Sequence, residues 1–431
     1  MIRPPRSALW LGLAGLACHG PGPSTSVPLP AEGQAAAPSA GPGGPGPLEP
    51  TLRIGLILGA DSVTVSSPAG LRITDPVDGR RVLAVAPHDV LRLGAAAGGL
   101  GWSAPEPGVA GWGALEITAA EAWAPLFLDG RPYRGSAEVV AAGGETLDVR
   151  NVVRMEAYLL GVVPIEIGPR TEEEFAAVEA QAIAARTYAF ANLGARRELG
   201  FDLYATVEDQ AYGGMLAERP DAREAVRRTA GRILVYEGRP IRAYYHSTCG
   251  GRTAGVDEVL DRPAAPYLRS VSDRGPDGTD YCAISPRYRW TARLGPDELN
   301  GRVRKAIARY YGVDAAEIGR IDSLRVLSRT PSGRVAEVAF QGPDGEYVLS
   351  RLDIRVALAD SAGRILYSTD FEFRPGPGGG VEIEGRGYGH GAGMCQWGAI
   401  GRARAGQSAE EILRHYYAGA AIENAYGPGG E

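Results

Sequence analysis

Residues 154–194 read RMEAYLLGVVPIEIGPRTEEEFAAVEAQAIAARTYAFANLG, and they decide the fold because they hold the clearest helical pattern in the chain. Thr171 and Glu174 have the spacing of a capping box, in which each side chain accepts a hydrogen bond from the other residue's backbone amide. Small and apolar residues then recur at helical spacing as far as Gly194, which predicts a long helix. A shorter helix is predicted just before it, at Arg154–Leu160.

Short β-type runs lie on both sides of this stretch. Short runs rich in Val, Ile and Leu, separated by turn signals such as DGR, continue through about residue 105, and residues 126–141 and 146–153 extend the pattern. Two strands across a hairpin are predicted from RILVYEG and PIRAYYHST, and four more from SLRVLS, RVAEVAFQG, EYVLS and VEIEG. Further helices are predicted at Arg219–Ala230, Pro296–Tyr311 and Glu410–Tyr417. Because the elements mix without a regular βαβ rhythm, the predicted fold class is α+β, a mixed β-rich body with a few helices.

The N-terminus is typical of an export signal. Arg3 and Arg6 precede a ten-residue apolar run, Ala8 to Ala17, which is too short to span a bilayer. Cys18 follows at once, and this arrangement resembles a bacterial lipoprotein signal whose cysteine is acylated. Ordinary signal cleavage is the alternative. Either reading predicts an extracytoplasmic protein, periplasmic or in the cell envelope. In the lipoprotein reading, which is the prediction, it meets the membrane only through a lipid anchor at Cys18.

Composition changes sharply along the chain, which predicts its domains. Residues 19–50 contain 9 Pro and 7 Gly, too little apolar surface to form a core, and are predicted to be a disordered linker after a 1–18 signal peptide. A β-rich region is predicted at 51–125 and the main domain at 126–425. The sequence leaves open whether 51–125 is a separate domain or an extension of the same sheet. A formal net charge of −6 argues against nucleic acid as a partner.

Four segments in one order carry a family resemblance. They are RMEAYLLGVVPIEIGP with EAQAIAARTYAF, EDQAYGG at 208–214, YYHSTCGGRT at 244–253, and GRGYGHGAGMCQWGAIGRARAG at 385–406. Together they resemble the stage II sporulation protein D (SpoIID/LytB) family of peptidoglycan-active proteins over roughly residues 126–425. Each segment alone is a weak signal, because Gly-rich runs and single histidines are common.

The resemblance implies a lytic transglycosylase. Such an enzyme cleaves the MurNAc–GlcNAc bond of glycan strands without water, because the sugar's own C6 hydroxyl closes on C1 and leaves a 1,6-anhydro end. One carboxyl group then suffices, whereas hydrolytic glycosidases usually need two. That group first donates and then accepts a proton, which favours a Glu or Asp in an apolar pocket. No cofactor is implied.

Glu166 is the predicted catalytic residue. It lies between Ile165 and Ile167 and resembles the family's Glu-Met-Pro motif, although Ile167 replaces Met and Pro follows Gly168. Glu156 is the rival, with a helix-start carboxylate that binds nearby backbone amides as its plainer explanation.

Other residues of the four segments could bind substrate. Arg186 could clamp a lactyl carboxylate through its planar fork, or bond loop carbonyls inside the fold. His390, in a glycine-rich run, could orient the acid or be a buried structural histidine. Cys395 replaces the Ser of the family's Met-Ser-Gln-Trp-Gly, and Trp397 follows it as a stacking face or a core residue. The complete substrate-binding prediction is Gln181, Arg186, Gln210, Tyr212, His246, Ser247, Thr248, His390 and Gln396.

Two cysteines allow two interpretations. In an oxidising compartment Cys249 and Cys282 most simply form a disulfide, and this is the prediction, with no metal. The alternative is zinc held by His246, Cys249, Cys282 and a fourth ligand.

Two functions from different classes remain. The first is the transglycosylase, with peptidoglycan glycan strands as partner. The second is a non-catalytic glycan-binding module that enhances a separate cell-wall amidase, a role that the family resemblance also implies.

Overall fold

The structure is a computed structural model that describes residues 48–96, 99–103, 108–109, 112–343, 345–359 and 363–427. The predicted signal peptide with Cys18 and all but the last three residues of the 19–50 linker lie outside these residues. Within the described residues, no helix is both long and apolar enough to cross a membrane.

Strands and helices are mixed along the chain without a βαβ repeat, so the predicted α+β class is confirmed. The α-helices are α1 Met155–Ile167, α2 Phe175–Ala191, α3 Pro220–Arg228, α4 Val256–Val259, α5 Pro296–Tyr311, α6 Arg351–Ala357, α7 Gln396–Arg404 and α8 Ala409–Tyr416. The strands are β1 Thr51–Ala60, β2 Ser62–Ser66, β3 Leu71–Thr74, β4 Arg81–Val85, β5 Val90–Ala96, β6 Gly99–Trp102, β7 Gly108–Val109, β8 Ala114–Ala119, β9 Leu126–Leu128, β10 Arg131–Tyr133, β11 Ser136–Gly143, β12 Thr146–Arg154, β13 Leu203–Tyr204, β14 Arg232–Tyr236, β15 Arg239–Pro240, β16 Tyr245–His246, β17 Arg289–Leu294, β18 Ser323–Arg329, β19 Val335–Gly342, β20 Gly345–Ser350, β21 Phe371–Pro375, β22 Val381–Arg386, β23 Met394–Cys395 and β24 Ala421–Asn424.

The described residues form two compact units. The first unit comprises residues 48–170, 181–234 and 422–427, and the second unit comprises residues 171–180 and 235–421.

The first unit is built on two sheets. One has the strand order β13-β1-β12-β11-β8-β3-β4, and the other β10-β9-β2-β5-β6-β7. Strand β1 pairs antiparallel with β12, and β8 pairs antiparallel with β11. Strands from the predicted 51–125 region therefore share a sheet with strands after residue 125, which favours the extension over a separate domain.

Strand β12 shows how the core row of the first sheet is made. Its side chains alternate between buried and half-buried, and Leu147, Val149, Asn151 and Val153 are the buried ones. Asn151 is polar in an apolar row, so its amide needs partners. Its Nδ2 donates to the carbonyl oxygens of Arg134 and Ser136, each at 2.9 Å.

The second unit contains two three-stranded antiparallel sheets, ordered β17-β22-β21 and β18-β19-β20. Helices α5 and α6 contribute to their apolar core through Val303, Ile307 and Ile354, which are fully buried. A separate two-stranded parallel pair, β16 with β23, places His246 opposite Cys395.

Two elements depart from the sequence prediction. Helix α1 continues past Leu160 to Ile167, with Pro164 inside it. The predicted hairpin is shorter, because β14 pairs only with Pro240, the first residue of the second run, and with Arg239 just before it. Tyr245 and His246 of that run pair instead with β23, far along the chain. Sequence periodicity reports local pairing and carries no signal for such a distant parallel partner.

Candidate functional site

Helix α1 carries both candidate carboxylates and follows β12 without an intervening loop. Its first amides have no acceptor within the helix, and residues just before β1 accept their hydrogen bonds. The Met155 amide donates to the Pro50 carbonyl at 3.0 Å, and the Glu156 amide donates to Glu49 Oε1 at 2.8 Å. The helix ends at Gly168, whose φ of 69° favours glycine. The start and end of α1 are therefore both fixed by local contacts.

Tyrosine packing fixes the side of α1 that faces the sheet. Tyr212 packs against Tyr158 of α1, with the rings tilted by 43° and their centroids 4.9 Å apart. Its hydroxyl donates to Asn151 Oδ1 at 3.0 Å, which satisfies the polar residue in the core row of β12. A Cβ at Gly161 would come 2.5 Å from the Tyr212 ring, so only glycine permits this close approach. The position of α1 thus depends on Tyr212, Asn151 and Gly161 together.

Glu166 lies in the last turn of α1 and is half-buried. Its Oε1 accepts a hydrogen bond from the Ala211 backbone amide at 3.1 Å. Of its two apolar neighbours, Ile167 is buried and Ile165 is 46% exposed. The carboxyl group therefore lies at the border between the apolar interior of the first unit and its surface, next to the 208–214 segment.

Glu156, the rival carboxylate, is occupied by an ion pair. Its two oxygens accept hydrogen bonds from Arg186 Nε at 2.8 Å and Nη2 at 2.6 Å. The Tyr426 hydroxyl and the Gly231 amide also donate to Oε1, at 2.7 and 3.1 Å. Burial raises the pKa of Glu156, but the charge and hydrogen bonds of Arg186 outweigh it and leave the pKa below its ordinary value. Glu156 is thus an anion that resists protonation, which suits structure and not acid catalysis.

The same contacts show the role of Arg186 within the fold. Its side chain is fully buried, and its Nη1 donates to Thr229 Oγ1 and to the Arg232 carbonyl, both at 3.3 Å. In this arrangement the guanidinium holds α2 against α1 and the 226–232 segment and does not face a substrate. The structural explanation of Arg186 therefore accounts for the geometry, and the predicted carboxylate clamp does not.

The other three residues of the first unit that were predicted to bind substrate are also buried. Gln181 and Gln210 are fully buried, and Tyr212 is 7% exposed. Gln210 accepts from the Tyr158 hydroxyl at 3.3 Å and donates to the Ala185 carbonyl at 3.2 Å. Gln210 and Tyr212 thus support α1 and the segment that contacts Glu166.

Two histidines lie together in the second unit. The rings of His246 and His390 have centroids 5.4 Å apart. His390 Nε2 donates to the Tyr245 carbonyl at 2.9 Å and Nδ1 accepts from the Ala392 amide at 3.1 Å, which defines a neutral imidazole. Desolvation and the charge of Arg355 lower the pKa of His390 to about 4. Both rings are therefore neutral at physiological pH, since burial and the charge of Arg334 also lower the pKa of His246.

His246 is buried, and its ring is oriented by the backbone. Its Nδ1 lies 3.1 Å from the Ala392 carbonyl, so the proton is on Nδ1 and the lone pair is on Nε2. Nε2 is buried and has no hydrogen-bond partner among the residues the structure describes. The remaining predicted residues here differ in access: Thr248 is 1% and Gln396 7% exposed, while Ser247 and His390 are half-buried.

The predicted disulfide pair lies in a larger cluster. The sulfurs of Cys249 and Cys282 are 3.5 Å apart and both residues are thiols in the structure. Cys395 and Asp273 adjoin them, and the ligand atoms of all four lie within 4.8 Å of one another. His246, the nitrogen ligand of the zinc alternative, is not in this group. The disulfide stays a prediction, but the surroundings of the pair differ from those expected.

A polar cleft of 270 Å³ adjoins this cluster in the second unit. The Gly250–Gly251 turn forms one wall, and both glycines have positive φ, 76° and 102°. Arg252, Arg274 and Arg386 line it together with Asp280 and Asp370. Ion pairs join Arg274 to Asp280 and Arg386 to Asp370, so much of the charge is balanced within the cleft.

Sequence reasoning missed three features of these sites. Asp273, in SVSDRG, carries no motif that marks it as a neighbour of the cysteines. Tyr426 and the Glu156–Arg186 pair join segments up to 270 residues apart. Cys395 is fully buried, and its place beside Cys249, Cys282 and Asp273 is not indicated by the motif that contains it.

Comparisons with known proteins bear on these segments. A family model described as stage II sporulation protein matches residues 143–236, and a model described as a domain of unknown function matches residues 278–393. The first match contains α1, Glu166 and the Glu156–Arg186 pair.

Several relatives align over most of the folded chain. An uncharacterised protein of Brachyspira hyodysenteriae is 35% identical over 296 residues, covering 68% of this chain and 73% of the relative. The amidase enhancer of Bacillus subtilis is 29% identical over 339 residues, covering 69% of this chain but only 45% of the longer relative. Stage II sporulation protein D of Bacillus amyloliquefaciens is 32% identical over 288 residues, covering 63% of this chain and 75% of the relative. The chain therefore belongs to the stage II sporulation protein D family.

Proposed function

We propose that the protein is a lytic transglycosylase that cleaves MurNAc–GlcNAc bonds in peptidoglycan glycan strands and forms 1,6-anhydro ends, with Glu166 as the single acid and base. Membership of the stage II sporulation protein D family, whose members act on peptidoglycan, supports the substrate class. The reaction type and the catalytic residue rest on the chemistry of the carboxylates in α1.

One observation carries the assignment of Glu166. Of the two candidate carboxylates in α1, Glu156 is bound on both oxygens by a buried arginine and has a lowered pKa. A general acid must carry a proton at working pH, so Glu156 is unsuited to the first step. Glu166 is half-buried and accepts from the Ala211 amide, which leaves it in reach of a bound sugar.

The environment of Glu166 suits a group that donates and then accepts a proton. The hydrogen bond from the Ala211 amide orients the carboxyl group and stabilises the carboxylate after the proton has moved to the glycosidic oxygen. The carboxylate then takes the proton of the C6 hydroxyl as that oxygen attacks C1. The packing of Tyr212 on α1 holds the carboxyl group in one place during both steps.

The substrate-binding prediction narrows to the residues that a glycan can reach. Ser247 and His390 are half-buried, and we propose that they contact the substrate. The buried members of the set support the fold of their own unit: Gln181, Arg186, Gln210 and Tyr212 lie inside the first unit, and His246, Thr248 and Gln396 lie inside the second.

Digestion of purified peptidoglycan tests the proposal. The full chain is expected to release anhydro-muropeptides, which mass spectrometry identifies by the loss of water relative to hydrolytic products. Glu166→Gln should keep the fold, as judged by circular dichroism, and reduce product release by at least 10²-fold, in the range attributed to a general acid or base. The matched control is Glu173→Gln, an exposed acid nearby, which should digest at the wild-type rate. Anhydro products from Glu166→Gln at the wild-type rate would remove the assignment.

The similarity to an amidase enhancer favours a second candidate. In that case the protein binds glycan strands without cutting them and increases the rate of a separate amidase. Retention of the wild-type protein on peptidoglycan without anhydro products, together with faster amide cleavage when a cell-wall amidase is added, would support this function over the first.

A further inference from the structure

Four potential metal ligands meet inside the second unit. They are the sulfurs of Cys249, Cys282 and Cys395 and the carboxylate of Asp273, and all four residues are fully buried. Cys249 Sγ lies 3.5 Å from Cys282 Sγ and 3.4 Å from Asp273 Oδ2, and all four ligand atoms lie within 4.8 Å of one another. No other group of three or more such residues with this geometry occurs in the part of the chain that the structure describes.

Two of the six separations among these atoms are close to the edges of a tetrahedral zinc site. Zinc–sulfur bonds of about 2.3 Å and zinc–oxygen bonds of about 2.0 Å require sulfur–sulfur edges of about 3.8 Å and sulfur–oxygen edges of about 3.5 Å. The 3.5 Å and 3.4 Å separations are close to these edges. Three cysteines and one carboxylate also make a complete set of four ligands of the kinds that zinc accepts.

The groups around the ligands are those that commonly support a metal–thiolate centre. Backbone amides of Cys249 and Gly398 donate to Cys395 Sγ at 3.1 and 3.2 Å, the second at the start of α7. The Tyr416 hydroxyl donates to Asp273 Oδ1 at 2.6 Å, and Arg402 Nε lies 3.4 Å from the same oxygen. Donors aimed at thiolate sulfur and at the outer carboxylate oxygen fix ligand orientation and stabilise negative charge.

The charge of the cluster is compatible with a divalent cation. A buried carboxylate is costly unless it is paired, and Asp273 has an ion pair with Arg402 through Oδ1, while its Oδ2 faces Cys249 Sγ at 3.4 Å. A divalent ion would balance the negative charge that the three cysteines acquire when they bind it as thiolates.

We propose that Cys249, Asp273, Cys282 and Cys395 form a closed, tetrahedral Zn²⁺ site that ties together four segments of the second unit. Its role is structural, because four protein ligands leave no open position for substrate or water. The proposal is independent of the glycan chemistry of Glu166, and it replaces His246 in the earlier zinc alternative with Cys395 and Asp273.

Metal analysis of the full chain tests the site. Protein purified without chelator and kept from air is expected to contain one zinc per chain. Cobalt exchanged into it should give a thiolate-to-cobalt charge-transfer band and the intense visible bands of tetrahedral coordination. The three thiols should resist a thiol reagent until a strong chelator is added.

Two variants and one control locate the ligands. Cys395→Ser and Asp273→Asn, which change few atoms, should each lower zinc affinity by about 10-fold or more, since metal ligands dominate such sites. Cys18→Ser should keep the full zinc content, because the four proposed ligands complete the site without Cys18. If a variant fails to fold, the cobalt spectrum of the wild-type chain still decides the outcome. A chain without metal after equilibration with zinc, or a mass two protons lower than the reduced chain, which marks a disulfide, would overturn the proposal.

Discussion

At the scale of single residues, buried polar side chains serve mainly as framework in this protein. Arg186, Gln210 and Thr248 are at least 99% buried and use their polar atoms on neighbouring chain segments. All three belong to the motifs that carry the family resemblance. Motif membership therefore identifies residues that the fold needs as well as those that touch a substrate, and only burial and bonding separate the two.

The Glu156–Arg186 pair gives a stability prediction. Glu156→Gln removes the charge that compensates a fully buried guanidinium. We expect the free energy of unfolding to fall by about 3–5 kcal/mol, because breaking a buried pair leaves one charge uncompensated. The midpoint of urea unfolding, followed by circular dichroism, measures this loss.

The control and the pH dependence follow from the same contacts. Glu224→Gln removes an acid that pairs with Arg227 and Arg228 on the exposed face of α3, so the midpoint should not change measurably.

The pKa of Glu156 is lower in the folded state than its ordinary value of 4.5. Its contribution to the free energy of unfolding is therefore fully present above pH 4.5 and is lost as the pH falls through the folded-state pKa. The gap between wild type and Glu156→Gln should therefore close in that acid range. Equal midpoints at neutral pH would contradict the prediction.

Some residues of the candidate sites could be identified from the sequence, and others could not because they come together only through tertiary packing. Glu166 and Cys249 lie in motifs with strong local features, an apolar flank and a Gly-Gly turn. Asp273 lies beside the cysteines only because separate segments fold together, and Cys249 and Cys395, 146 positions apart, share no local sequence pattern. Contacts at long range depend on tertiary packing, which one sequence does not display.

At the scale of elements, α5 shows what local signals can define. It was predicted at Pro296–Tyr311 and has those bounds, because Pro at its first position and Gly312 after its end match the preferences of helix termini. Helix α1 was predicted too short, since Gly161 and Pro164 disfavour helix by propensity. Its eight buried residues lie on several sides of the helix, so packing and not amphipathic pattern stabilises its second half.

Glycines in these two helices should respond oppositely to alanine. Gly161→Ala puts a methyl group 2.5 Å from the Tyr212 ring and should destabilise the protein by about 1–3 kcal/mol. Gly301→Ala in α5 meets nothing within 4 Å and should stabilise it by about 0.5–1 kcal/mol, as alanine is the better helix former. Thermal and urea unfolding measure both. A stabilised Gly161→Ala protein would show that Tyr212 does not restrict α1.

At the scale of the whole molecule, the fold class was predictable and the division into units was not. Mixed strand and helix signals define α+β. The sequence left open whether residues 51–125 extend the sheet of the residues that follow, and β1 and β8 pair with β12 and β11 beyond residue 125. Pairing between strands distant in sequence decides which residues share a core, and composition does not report it.

The chain outside the described residues gives a prediction at the same scale. If Cys18 is the acylated residue, full-length protein made in a bacterium should partition into the detergent phase of a cloud-point extraction, because an acyl chain contributes about 0.8 kcal/mol per buried CH₂. Cys18→Ser should move it to the aqueous phase, whereas His19→Ala should not. Wild-type protein in the aqueous phase would favour ordinary signal cleavage.

The junction between β12 and α1 has a consequence for how this scaffold tolerates change in chain length. The strand ends at Arg154 and the helix begins at Met155, so no spacer can absorb an added or deleted residue. One extra residue there would turn everything beyond it by about 100° around the helix axis and advance it by about 1.5 Å. Natural length variation should therefore avoid this junction and collect in open turns such as the one between β11 and β12.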